Sequence, residues 1–163
     1  MELKLFMTNE ELKSKIEADF KDQVQSVTIS TQKEVIVVAK PEAYLGLCSA
    51  LKSKPDYDFQ HLSCLTAVDY PKENKITVVC HLWSYKTFTQ LTLKLETDRA
   101  NPKAPTLENL WKSANWFERE VYDLYGVVFE GHSDLRRIMM PEDYVKFPLR
   151  KDFVDDGFIV KPN

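Results

Sequence analysis

Residues able to do covalent or metal chemistry are scarce in this chain: three histidines and three cysteines. His61-x-x-Cys64 and Cys80-His81 offer paired ligand atoms, and His132-Ser133-Asp134 holds the residue types of a nucleophilic relay. Each falls short of a site. A stable zinc or iron-sulfur centre wants four ligands, commonly in close Cys pairs, and no C-x-x-C occurs. Cys80 and His81 would point to opposite faces of a strand. Sequence neighbours rarely converge into relay geometry, and neither the 132–134 run nor Cys64 with His61 brings an oxyanion hole. Cys48, Cys64 and Cys80, with no close pair, read as buried reduced thiols. The four glycines form neither G-x-G-x-x-G nor a P-loop, so no backbone cradle for a phosphate is expected. The expectation is a chain with no catalytic, cofactor-binding or metal residue of its own, and no dinucleotide site.

Charge is the richer signal. Residues 118–152 carry the triplet Glu118, Arg119, Glu120 and Asp123 behind it, then an aromatic turn closed by Gly126. The pair Gly131-His132, the doubled Arg136 and Arg137, a Pro141-Glu142-Asp143 corner and the run Pro148-Leu149-Arg150-Lys151-Asp152 follow. Two readings of the triplet stand. It is a solvated helix face in which Arg119 and Asp123 pair at spacing four, or a cluster that engages Arg136, Arg137 or a neighbouring protein. The arginines are ordinary surface cations, forks for a partner's carboxylates, or phosphate contacts.

The elements that must position these groups follow from composition and pattern. At 163 residues, 44% apolar and 29% charged, the chain suits one soluble globular domain with room for an appendage. A net charge of -3 excludes a general nucleic-acid binder. No apolar run reaches membrane-span length and no basic stretch with an apolar core opens the chain. The expected location is cytosolic, or on a membrane complex through another chain.

The pattern predicts a helix over 9–20 capped by Asn9, with Leu12, Ile16 and Phe20 inward. Strands are expected at 24–30 and 35–39, joined by a turn lacking its usual glycine. A second helix over 41–52 would face Leu45, Cys48 and Leu51 inward. Three longer strands follow: one with Leu62, Cys64, Thr66 and Val68 on one face, 76–83 apolar on both faces, and 87–95 with Leu91, Leu93 and Leu95 inward. Short connections favour an antiparallel meander. The fold class is therefore α+β, with helices on one face of a mixed, mainly antiparallel sheet in the order α-β-β-α-β-β-β. Residues 1–97 form that domain, 98–105 read as a linker, and 106–126 as a helical segment in two pieces with Asn115 as a second cap. Gly126 ends it.

Residues 127–163 show no period but are rich in Leu, Ile, Met and aromatic side chains, unlike a disordered tail. Ordering each residue costs roughly 1–2 kcal/mol, so the expectation is an extended tail laid across a partner.

The segment from Glu118 to Met139 resembles the hallmark of the C-subunit family of NADH-quinone oxidoreductase, respiratory complex I. That pattern runs E-R-E, two residues, an acid, two apolar or aromatic residues, six residues, a His, then a basic residue and two apolar ones. Glu118-Arg119-Glu120, Asp123, Leu124-Tyr125, His132, Arg136 and Ile138-Met139 fill every defined position. Residues 113–117 and 65–70 are also similar, so the likeness spans most of the chain from about 60 onward. Ser133 departs from a common Pro, Tyr144 from a Trp and Lys146 from a Gly. The resemblance implies a non-catalytic, cofactor-free subunit of the peripheral arm of a proton-translocating NADH-quinone oxidoreductase. Its partners would be the D-type large subunit, which forms the quinone site, and the B-type cluster-bearing subunit. Flavin, iron-sulfur clusters and quinone would sit on other subunits. The place would be peripheral, on the cytoplasmic side of the cell inner membrane, or the matrix side in an organelle. Interface residues on this reading are Glu118, Arg119, Glu120, Asp123, His132, Arg136, Arg137, Glu142, Asp143, Arg150, Lys151 and Asp152. Two other readings remain open: the equivalent subunit of a membrane-bound hydrogenase or a related complex, and a stand-alone thiol- or metal-dependent enzyme using Cys64, His61 or His132.

Overall fold

The first helix, α1 (Asn9–Asp19), has its cap one residue earlier than the pattern suggests. Thr8 is the N-cap: its hydroxyl accepts from Glu11 N and the Glu11 carboxylate accepts from Thr8 N, a reciprocal capping box. Asn9 instead reaches the Lys33 carbonyl, in the turn of the hairpin that follows. This computed structural model describes residues 7–154.

β1 (Val24–Ile29) and β2 (Val35–Ala39) form an antiparallel hairpin. Lys33 takes φ 62° in their turn, the left-handed role a glycine usually fills. After a 3-10 turn over Pro41–Ala43 comes α2 (Tyr44–Ser53). Its buried stripe is Tyr44, Leu47, Cys48 and Leu51, while Leu45 is nearly half exposed, so the inward face is rotated from the one expected. The 3-10 turn sets that phase, because the α-helical repeat starts only at Tyr44.

The meander is β3 (His61–Tyr70), β4 (Lys75–Ser84) and β5 (Thr89–Asp98). Sheet order is β1-β2-β5-β4-β3, antiparallel except for β2 against β5. The α+β architecture read from the sequence is the one observed. Val35, Val37, Leu91, Leu93, Leu95, Cys80 and Leu82 line the inner face under α1 and α2. In β3 the register shifts between Leu62 and Cys64, so Ser63 is the extra residue of a bulge. Leu62, Leu65, Ala67 and Asp69 therefore point inward, and the expected run Cys64, Thr66, Val68 lies on the outer, half-buried face. A one-residue slip exchanges the faces of everything beyond it.

Residues 98–105 are more than a linker. β6 (Lys103–Pro105) pairs in parallel with β7 (Val128–Glu130), which follows the third helix. That helix, α3, covers only Ala114–Tyr125. Residues 106–113 form turns, although Leu107 and Trp111 are buried as a helical stripe would have them. Trp111 Nε1 donates to the Phe59 carbonyl at 3.1 Å, which ties the turn segment to the sheet domain. Asn115 lies inside α3 rather than capping it. Gly126 closes α3 at φ 78°. None of the helices among the described residues is long and apolar enough to cross a membrane.

Candidate functional site

Residues 131–154 form no helix or strand, yet the segment is fastened to its own chain. Asn115, Arg119 and Asp123 share one face of α3 at spacing four. The tail runs along that face as a strap. His132 Nε2 donates to the Asn115 carbonyl at 3.1 Å, the Arg119 Nε–H donates to the Arg136 carbonyl at 3.3 Å, and Asp123 receives residues 137–140.

Asp123 is the principal fastening. One carboxylate oxygen accepts the backbone N–H groups of Ile138, Met139 and Met140 at 3.0, 2.7 and 3.0 Å. The other accepts Arg137 Nη1 at 2.6 Å, and the same nitrogen donates to the Asp123 carbonyl. Burial opposes ionisation here, but the three N–H groups and the guanidinium outweigh it and hold the carboxyl below its ordinary range. The expected pairing of Arg119 with Asp123 does not form; Asp123 is spent on the strap.

The flank of α3 beside Asn115 also faces inward. Glu118 is fully buried, accepting Thr106 Oγ1 at 2.5 Å and Leu107 N at 2.7 Å. Burial dominates, raising its carboxyl to about 7 despite those donors. Glu108 accepts Asn115 Nδ2, Ser133 N and Ser133 Oγ at 2.8, 2.7 and 3.0 Å. Burial resists its ionisation, but these bonds prevail and lower the carboxyl. The Ser133 N–H is a donor that proline lacks, which gives the departure from the family pattern a physical role. The His132 side chain is buried, with Nε2 3.8 Å from Glu108 and 4.0 Å from Glu118, while Nδ1 accepts Asp134 N at 3.0 Å.

The far end of the strap has a second fastening. Asp69 accepts Arg99 through two nitrogens at 2.6 and 3.0 Å and Lys151 N at 2.9 Å. The Arg99 bond leads in holding this carboxyl low, and Arg99 also grips Asp152. Leu149 N and Arg150 Nε donate to the Leu124 and Tyr125 carbonyls, satisfying the end of α3. The Phe147 ring lies where a side chain on Gly126 would stand, 2.6 Å from an ideal Cβ.

Of the charged residues singled out in the sequence, Glu118, Asp123, Arg137 and His132 thus turn inward and Lys151 contributes its backbone. Glu120, Arg136, Glu142 and Asp143 are solvent-facing. Sequence reasoning missed Thr106, Glu108, Asp69 as an anchor, and Arg99. Only the β3 bulge puts Asp69 on the inner face, and no residue type announces that bulge. Four apolar side chains of the strap stand outside: Met139, Val145, Leu149 and Val154 are 63, 83, 49 and 69% exposed.

No group of three or more His, Cys, Asp or Glu able to hold a metal occurs among the described residues. Cys48 and Cys80 are buried; burial raises the Cys80 thiol to about 12 and the Cys48 thiol well above its usual range. Such thiols are poor nucleophiles. His81 sits beside Thr92 and Glu34 on the outer face, away from Cys80.

Residues 37–158 match the family described as respiratory-chain NADH dehydrogenase, 30 Kd subunit. The chain belongs to this family. Among its relatives is the NADH-quinone oxidoreductase C subunit of Moorella thermoacetica, 45% identical over 72% of this chain and 78% of that protein. The C subunit of the Chlorobium phaeobacteroides NADH-quinone oxidoreductase is 36% identical over 82% of this chain and 81% of that protein. A solved structure, Nqo5 of a trypsin-resistant fragment (1-134), superposes with a TM-score of 0.67 at 29% identity, covering 79% of this chain and all of that one. A chain of an archaeal membrane-bound sulfane sulfur reductase shares the fold, with a TM-score of 0.74 at 24% identity over 89% of this chain and 85% of that one. Three of the hallmark residues, Arg119, Asp123 and His132, fasten the strap to α3.

Proposed function

We propose that this chain is a non-catalytic, cofactor-free structural subunit of a proton-translocating NADH-quinone oxidoreductase. It docks against the large quinone-site subunit and the cluster-bearing subunit, peripheral to the membrane on its cytoplasmic side, or the matrix side in an organelle. Electron carriers sit on those neighbours, and this chain stiffens their surroundings.

One observation carries the reading. The strap is fixed by its backbone, at Asp123 and at Asp69, while Met139, Val145, Leu149 and Val154 stand in solvent. A segment ordered in this way has already met part of the entropic cost of binding, and its exposed apolar side chains suit a protein interface. Burial of Cys48 and Cys80 and involvement of Glu118, Asp123 and His132 in internal bonds also leave those groups occupied.

The test is co-purification of the tagged full chain from gently solubilised membranes, with metal analysis of each separated chain. The expected companions are the large subunit and an iron-sulfur protein, with iron and flavin found only on companions. A chain recovered alone, or one carrying stoichiometric metal itself, would refute the proposal.

A further inference from the structure

Arg119 is the buried member of the hallmark triplet that has no ion-pair partner among the described residues. The residue is only 6% exposed, so its charge has lost most of its water. No carboxylate of the described residues lies within ion-pairing distance of it. Asp123, one turn along α3, is occupied by Arg137 and three backbone N–H groups. Asp134 pairs with Arg136 at 3.0 Å. Arg119 Nε donates to the Arg136 carbonyl at 3.3 Å, and the guanidinium carbon stands 4.9 Å from the centre of the Trp116 ring. Among the described residues only Thr77 Oγ1 is a sealed side-chain nitrogen or oxygen lacking a hydrogen bond, so the two Nη atoms of Arg119 still open to the surface.

A guanidinium fixed between a carbonyl and an indole, with Nη groups that no described residue engages, is a fork already set for a carboxylate. Trp116, 63% exposed, and Arg136, whose side chain is 64% exposed, flank it. Tryptophan and arginine together are the residues that dominate binding energy at protein interfaces. A phosphate on a lipid or nucleotide would meet the same fork, but the exposed indole favours a protein surface.

We propose that the Trp116–Arg119–Arg136 patch is a docking site for an Asp or Glu side chain of a neighbouring subunit, with Arg119 receiving the carboxylate. This rests on the reading of the chain as part of a larger complex. Arg119 is then a partner-facing member of a hallmark whose Glu118 and Asp123 act internally, and desolvation of the pair on docking makes it a determinant of partner choice.

The test uses the full chain in its complex. Arg119→Lys places a primary amine where the fork stood; a carbodiimide applied to washed membranes condenses that amine with a carboxyl in contact, forming an amide while the reagent takes up the water. The expected product joins residue 119 to an Asp or Glu of another chain, located by mass spectrometry. Arg119→Met, with its thermal midpoint checked on the purified chain, should weaken retention in the salt-washed complex at least about thirtyfold, or about 2 kcal/mol. Should that variant unfold, the Arg119→Lys product still decides. Cross-links only to this chain's own acids, or none while the variant remains in its complex, would overturn the proposal. So would loss of the chain on delipidation without a cross-link, which assigns the fork to a lipid phosphate. A wild-type chain that co-purifies with nothing refutes the subunit reading, a distinct result.

Discussion

Glu118 and Asp123 sit one turn and a little more apart on the same helix and are tuned in opposite directions. Asp123 receives four donors and is held ionised, while Glu118 receives two in a sealed site and retains its proton to about 7. The pH consequence follows by linkage. Across the interval from the unfolded carboxyl's ordinary 4.5 to about 7, the folded chain keeps a proton that the unfolded chain has released. Stability therefore falls as pH rises through that interval, by about 3 kcal/mol at 1.36 kcal/mol per unit. Asp123, Asp69 and Glu108 act the other way: their lowered carboxyls support the fold above their unfolded values and lose that support in acid. Glu118→Gln keeps an acceptor for Leu107 N and cannot ionise. Urea unfolding at pH 5 and pH 7 should show the wild-type loss and a nearly flat Gln variant; equal slopes for both would remove Glu118 from this role.

The strap is an element without a period, and its stability is concentrated in few bonds. Asp123→Asn removes the charge shared by three N–H groups and leaves Arg137, its side chain only 10% exposed, without a carboxylate. Breaking a buried pair in this way costs about 3–5 kcal/mol. The expected outcome is a lower urea midpoint and rapid tryptic cleavage at Arg136 or Arg137 before the sheet domain opens; unchanged protection of those sites would show that the strap is held elsewhere. Legibility in the sequence divides along the same line. Alternation in β5 and the apolar run of β4 report directly on burial, so the sheet was readable. The Ser63 bulge, the 3-10 turn before α2 and the turns over 106–113 are not: no residue type announces the first two, and the last are tied down by a tertiary bond from Trp111 to Phe59. The hallmark charges pointed to the right segment, but their spacing cannot tell a partner's backbone from the chain's own. Asp123 with Arg137 is the internal engagement that the sequence left open beside a partner's.

At the scale of the whole molecule, two features close the chain on itself: the parallel pair β6–β7 that brackets α3, and the parallel pair β2–β5 that completes the large sheet. The second has a temporal consequence. β2 is paired on one side by β1, but its other edge has no partner until β5 has been synthesised. During translation Val35–Ala39 is an unmet apolar edge, the kind of segment that recruits other chains. Ribosome products halted at Ser84 should therefore sediment or be recovered on holdase chaperones, whereas products extended through Val154 should stay in the supernatant. A soluble monomeric product ending at Ser84 would contradict this. The order of synthesis thus exposes the nascent chain to aggregation for as long as the β3–β4 hairpin takes to emerge, a hazard that the finished fold no longer displays.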